Sequence, residues 1–189
     1  MKIIRSTKRL TLSNVLTLLR IIATPCIVAL LVHGWLKATV ALFAFAALTD
    51  LFDGYLARRW NEHTVLGSYL DPIADKVLVL SCFATLFYLD ISVLLPRWFL
   101  LLVLVREVII ISGAFFVRLR YGSSYRIEPT MSGKLTAAGY MVLIGWILMC
   151  HFFSWMPIMS VGILLIALSC LAFISLAHYV ARSISLLSQ

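Results

Sequence analysis

Five of the eight acidic residues in this chain stand between positions 50 and 75, and the four aspartates among them fall as two pairs. Asp50 and Asp53 lie in Thr49-Asp50-Leu51-Phe52-Asp53-Gly54-Tyr55-Leu56-Ala57-Arg58; Asp71 and Asp75 lie in Gly67-Ser68-Tyr69-Leu70-Asp71-Pro72-Ile73-Ala74-Asp75-Lys76. Spacings of three and four residues put each pair on one face of a helix. The surrounding sequence is apolar, and an ionised side chain at the centre of a bilayer costs roughly 2.5–3.5 kcal/mol, less toward the interface. Carboxylates gathered there need protons or cations. Oxygen ligands clustered without His or Cys suit a hard divalent ion such as Mg²⁺ or Mn²⁺. Two such ions balance four carboxylates in charge, and paired metals recur in phosphoryl chemistry. The plainer alternative is structural: Asp50 and Asp53 pair with Arg58 and Lys76 between helices, and Asp71 caps a helix that Pro72 opens. Gly54 and Gly67 weigh against it, because small residues beside a polar cluster leave room for something else to approach.

The elements that position these residues are membrane helices. Of 189 residues, 62% are hydrophobic and 13% charged, with a mean hydropathy of +1.03. A soluble domain carries about 25% charged residues, so lipid is the solvent for most of this surface. Apolar stretches at roughly 14–33, 37–58, 70–89, 95–117, 135–153 and 157–180 each suit a span of about 20 residues. The expected fold is all-α and polytopic, a single membrane domain over residues 1–189 with about six transmembrane helices. Lys2, Arg5, Lys8, Arg9, Arg58, Arg59, Arg118, Arg120, Arg126, Lys134 and Arg182 then fall on one side, against Lys37 and Arg97 on the other. That bias places both termini in the cytoplasm and the aspartates at the cytoplasmic interface of an inner membrane. It also accounts for the net charge of +8 without nucleic acid, for which no binding motif is present. The run from Val15 is too long for a signal-peptide core and is read as the first span. Trp35, Trp60, Trp98 and Trp155 fall near span ends, as interfacial anchors do. Cys26, Cys82, Cys150 and Cys170 stand alone in apolar stretches and read as small hydrophobes. The four histidines are scattered and receive no role.

Several basic residues belong to the same question. Asn14, Thr17 and Arg20 share one stripe at the start of the first span. Asn14 could cap the helix while Arg20 snorkels to the surface, or the stripe could bind an anion. Arg106 lies mid-span beside Glu107, and an intramembrane Arg points to function by default. Neighbours in a helix diverge by about 100°, so the expectation is that Arg106 and Glu107 do not close on each other.

The pattern Asp-x2-Asp-Gly-x2-Ala-Arg-x8-Gly-x3-Asp-x3-Asp, formed here by Asp50, Asp53, Gly54, Ala57, Arg58, Gly67, Asp71 and Asp75, resembles the signature of the CDP-alcohol phosphotransferase family. The six-helix layout agrees with that family along nearly the whole chain. The resemblance implies that the four aspartates bind two divalent metals, Mg²⁺ or Mn²⁺, which hold the diphosphate of CDP-diacylglycerol. It implies that Asp75 is the general base for the acceptor hydroxyl, that Gly54, Ala57 and Gly67 admit the cytidine, and that Arg58 supports the diphosphate. CMP is the released product. Asn14, Thr17 and Arg20 are similar to the family's Asn-x2-Thr-x2-Arg helix, which helps bind the nucleotide diphosphate. Arg106 is implied to bind an acceptor phosphate, with Arg118 and Lys134 as candidates for the same pocket or as positive-inside charges alone. A homodimer is the family's precedent.

The acceptor divides two branches of the family. Phosphatidylglycerol phosphate synthases resemble this chain in size and in Arg106-Glu107, but usually carry Gly-Lys-x-Lys-Thr where this chain has Gly133-Lys134-Leu135-Thr136-Ala137. A second Lys would favour the dianion of glycerol 3-phosphate. Pro129-Thr130-Met131-Ser132-Gly133-Lys134 and Gly67-Ser68 are similar to CMP-forming cardiolipin synthases, whose acceptor is phosphatidylglycerol. Glycerol 3-phosphate is the acceptor favoured here. An ion-coupled transporter is the rival class, since intramembrane Asp and Arg often line ion paths. Repeated halves and broken mid-membrane helices, which such folds often show, are not evident in the sequence.

Overall fold

The computed structural model describes residues 12–60, 67–89, 95–121, 131–155 and 157–187, with side chains over 15–50, 73–89, 95–113, 131–155 and 157–181. Six helices account for nearly all of it: α1 (Leu12–Val32), α2 (Leu36–Trp60), α3 (Gly67–Tyr88), α4 (Arg97–Tyr121), α5 (Met131–Phe152) and α6 (Ile158–Leu187). No strand occurs among the described residues. The all-α expectation therefore stands. Among the described residues three helices are long and apolar enough to cross a membrane, over Val15–Val32, Met131–Phe152 and Ile158–Ala181.

Helix ends are set by specific backbone chemistry. α1 stops at Gly34, whose φ of 74° lies in the left-handed region that a glycine adopts without penalty. There the Gly34 N–H donates to the Leu31 carbonyl at 3.1 Å and the Trp35 N–H to the Leu30 carbonyl at 2.9 Å. These paired bonds are a Schellman cap, which satisfies carbonyls that the helix end would otherwise leave bare. α5 ends in the same way with Ser154 in the left-handed position at φ 51°. Its bonds run from Ser154 N–H to His151 at 3.2 Å and from Trp155 N–H to Cys150 at 2.9 Å. The α1 cap turns the chain into α2 within a few residues. α2 opens with the Thr39 N–H and Thr39 Oγ1 each donating to the Trp35 carbonyl at 3.0 Å.

The helices group into two compact units. The first holds α1, α2, α3 and the end of α5 (Leu148–Trp155); the second holds α4, the rest of α5, and α6. In the first unit α1 packs on both α2 and α3. Ala23, Ile27 and Leu31 of α1, Phe43 and Ala46 of α2, and Leu78, Cys82, Phe83 and Leu86 of α3 are buried. In the second unit α4 packs on α6, with Phe99, Val103, Leu143, Ile144, Ile147, Val161, Leu165 and Leu168 buried. Gly139 lets α5 and α6 approach, for a Cβ there would stand 2.2 Å from Leu168 Cδ2. Large apolar side chains such as Ile22, Leu101, Val108, Val142, Ile163 and Phe173 point outward. Exposed aliphatic surface on this scale fits lipid contact and not water.

Candidate active site

The buried stripe of α1 has two halves. Thr17, Arg20, Thr24, Ile27 and Leu31 recur at steps of three and four and all are buried, so they share one face. Toward the C-terminal end that face is apolar; toward the N-terminal end it is polar. Arg20 sits at its centre with 1% exposure, and Thr24 Oγ1 donates to the Arg20 carbonyl at 2.9 Å.

Arg20 joins the two carboxylate-bearing helices. Its Nη1 lies 2.9 Å from Asp50 Oδ1 on α2 and also donates to Asp75 Oδ1 on α3. Both carboxylates are about one-third exposed or less, while the guanidinium is buried. This geometry bears on the plainer alternatives raised by the sequence. Arg20 does not snorkel to the surface: with two carboxylates in reach, pairing in the low-dielectric interior outweighs the route back to water. Arg20, from another helix, is a counter-ion of Asp50, while the side chain of Arg58 lies outside the described residues.

The other motif residues are placed by backbone. Asp53, Gly54, Ala57 and Arg58 follow Asp50 along α2, Gly67 and Asp71 precede Asp75 on α3, Asn14 lies in the first turn of α1, and Arg118 lies near the end of α4. Their side chains lie outside the described residues. The described part of the cluster fits a hard divalent ion. Asp50 and Asp75 bring oxygens from two helices to one nitrogen of a cation, and the donor set is all oxygen, as Mg²⁺ or Mn²⁺ requires.

A second buried arginine organises the other unit. Arg106 on α4 is 4% exposed and Glu107 8%, and Arg106 Nη1 donates to Glu107 Oε1. The expectation that these neighbours stay apart is therefore wrong. Backbone directions diverge, but a long arginine side chain curls back when its charge would otherwise face lipid unpaired. Arg106 Nη2 donates to Ser175 Oγ on α6 at 3.1 Å, and its guanidinium carbon lies 5.8 Å from the Tyr140 ring centroid on α5. Phe99 meets the same ring edge-on at 6.0 Å. Arg106 thus ties α4, α5 and α6 together. A groove of about 280 Å³ runs beside it, lined by Leu101, Leu102 and Val105 of α4 and Ala172, Phe173 and Leu176 of α6.

Lys134 is exposed in the first turns of α5. Thr136, two residues on, is fully buried and donates its hydroxyl to the Ser132 carbonyl at 2.7 Å. It offers no donor outward in place of a lysine. Ser132 Oγ lies 3.3 Å from His178 Nδ1 on α6. Glu107, Tyr140, Ser175 and His178 were not singled out as site residues by sequence pattern, and only Glu107, as an intramembrane acid, carried a signal that could have marked it.

Known proteins are similar to this chain in sequence. A probable CMP-forming cardiolipin synthase of Drosophila melanogaster is 34% identical over 151 residues, 72% of this chain and 46% of that protein. The CDP-diacylglycerol–glycerol-3-phosphate 3-phosphatidyltransferase of Salmonella choleraesuis is 37% identical over 140 residues, 71% of this chain and 75% of that protein. Its namesake in Blochmanniella floridana is 34% identical over 182 residues, 92% of this chain and 91% of that protein. The chain spans about half the length of the cardiolipin synthases it matches. The model of the CDP-alcohol phosphatidyltransferase family matches residues 10–183, a range that holds all four aspartates, and the chain belongs to that family.

Proposed function

We propose that this protein transfers a phosphatidyl group from CDP-diacylglycerol to the hydroxyl of glycerol 3-phosphate, releasing CMP. The observation that carries the reading is the convergence of Asp50 and Asp75, from two helices, on one buried cation at the polar end of the α1 stripe. Asp50, Asp53, Asp71 and Asp75 would hold two divalent ions, Mg²⁺ or Mn²⁺. Such ions, when bound, neutralise the diphosphate and make CMP a better leaving group. Asp75 accepts the proton of the acceptor hydroxyl as its oxygen bonds to the phosphatidyl phosphorus. The bond from that phosphorus to the CMP oxygen breaks, and CMP departs with the electron pair. Asn14, Thr17, Arg20, Gly54, Ala57, Arg58 and Gly67 bind the donor; Arg106, Arg118 and Lys134 receive the acceptor phosphate.

The chain is read as one domain with six spans, both termini cytoplasmic, in an inner membrane and acting as a homodimer. Its site faces the cytoplasm, which lets the donor's acyl chains stay in lipid while its head group meets water-soluble partners. Family membership leaves ion-coupled transport without support.

A second reading takes phosphatidylglycerol as the acceptor and makes the product cardiolipin. The inward-turned Thr136 hydroxyl favours it, because a dianionic acceptor gains from a second outward cation at that position. Relatives of both kinds match. The test is the lipid product formed by purified protein from CDP-diacylglycerol and either acceptor, identified by mass spectrometry. Phosphatidylglycerol phosphate from the first acceptor is the expected result. Cardiolipin from the second, with nothing from the first, would move the chain to the other branch.

A further inference from the structure

We propose that Arg20 is an internal counter-cation that a divalent metal must displace from Asp50 and Asp75, so that Arg20 sets how tightly the site binds metal. The inference rests on the metal-holding role proposed for the aspartates. One guanidinium nitrogen meets Oδ1 of both carboxylates, 2.9 Å from that of Asp50. A metal taking those same oxygens would stand against a guanidinium of like charge. Arg20 is buried to 1% exposure at the floor of the cluster, where little water is available to screen the repulsion.

The exchange is favourable in charge. One guanidinium neutralises one of the two carboxylates, whereas a divalent ion neutralises both. Arg20 therefore holds α2 and α3 together by ion pairs and competes with the ion that would hold them more fully. Its side chain hangs from α1, which packs on both of those helices. Once displaced, the guanidinium is a cation beside the bound metal, positioned for the donor's diphosphate. Arg20 is in this sense a positioning residue as well as a competitor.

The test is Mn²⁺ binding to the full detergent-solubilised chain at pH 8, followed by electron paramagnetic resonance without any lipid substrate. Arg20→Met is expected to bind Mn²⁺ about tenfold tighter than the wild type, because the competing charge is gone. Its melting temperature should be lower than wild type without Mn²⁺ and rise by more when Mn²⁺ is added. Arg20→Lys, a single flexible point charge in place of a planar fork, should tighten binding by a smaller factor; it carries the measurement if Arg20→Met does not fold. Unchanged or weaker Mn²⁺ binding by the folded variants, in a wild type that binds Mn²⁺ and releases CMP, overturns the inference and leaves the proposed function standing. A wild type that neither binds Mn²⁺ nor releases CMP overturns both.

Discussion

Asp75 occupies a double position. It is one of the carboxylates proposed to hold metal and the residue proposed to take the acceptor's proton, and its carboxylate accepts from Arg20. Asp75→Asn keeps an oxygen for the cluster and removes the base. CDP-diacylglycerol should still bind at detectable affinity, while turnover falls by about 10²-fold or more. Full turnover in that variant would end the general-base assignment. Lys134 stands exposed at the start of α5, and Lys134→Ala should raise the KM for a phosphate-bearing acceptor several-fold with little change in kcat, the signature of lost ground-state binding. An unchanged KM would remove Lys134 from the acceptor pocket. The pairing of the aspartates along the sequence is a property of one helix at a time, and of the four the described side chains are those of Asp50 and Asp75. Arg20's hold on Asp50 and Asp75 was not legible in the sequence, since contacts across three helices depend on how α1 crosses α2 and α3. The Arg106–Glu107 pair was misread because divergent Cβ directions do not limit a side chain as long as arginine.

Helix boundaries follow apolarity at some ends and local chemistry at others. The expected spans beginning near 14 and 157 match α1 and α6 closely at their starts. α5 begins at Met131, ahead of the apolar run, because Ser132, Gly133 and Lys134 are carried into its first turn. α2 and α4 extend to Trp60 and Tyr121, past the apolar residues and into basic ones. Composition marks where lipid ends, while backbone hydrogen bonding decides where a helix ends, and these differ by a turn or more. The two Schellman caps make a reciprocal prediction. Ser154 holds a left-handed φ of 51° without being glycine, so Ser154→Gly should stabilise the protein by about 1 kcal/mol in reversible unfolding from mixed micelles. Gly34→Ala should destabilise it by about the same amount, since open space around Gly34 leaves backbone conformation as the whole penalty. A destabilising Ser154→Gly would show that its side chain matters more than its dihedral angle. At Gly139, valine would drive into Leu168 and should cost about 1–3 kcal/mol, read in the same unfolding experiment.

At the scale of the molecule, three helices among the described residues have the length and apolarity to span. Arg20, Asp50, Asp75, Arg106 and Glu107 are placed in pairs among the described residues, which lowers the cost of carrying them into lipid. The membrane class was legible from composition alone. The division into two compact units was not, because nearly uniform apolarity along the helices says little about which of them pack together. The six-span reading predicts that a cysteine at His33, in a cysteine-free background, reacts with an impermeant reagent from outside the cell and one at Arg182 does not. Labelling of both from outside would reverse or reduce the topology.

The most direct measurement is CMP release by the purified full chain from CDP-diacylglycerol with Mn²⁺, offered glycerol 3-phosphate or phosphatidylglycerol in separate reactions, with and without a chelator. Chelator-sensitive CMP in the glycerol 3-phosphate reaction is the predicted result; no CMP from either acceptor, with donor and Mn²⁺ present in excess, would contradict phosphatidyl transfer to these acceptors.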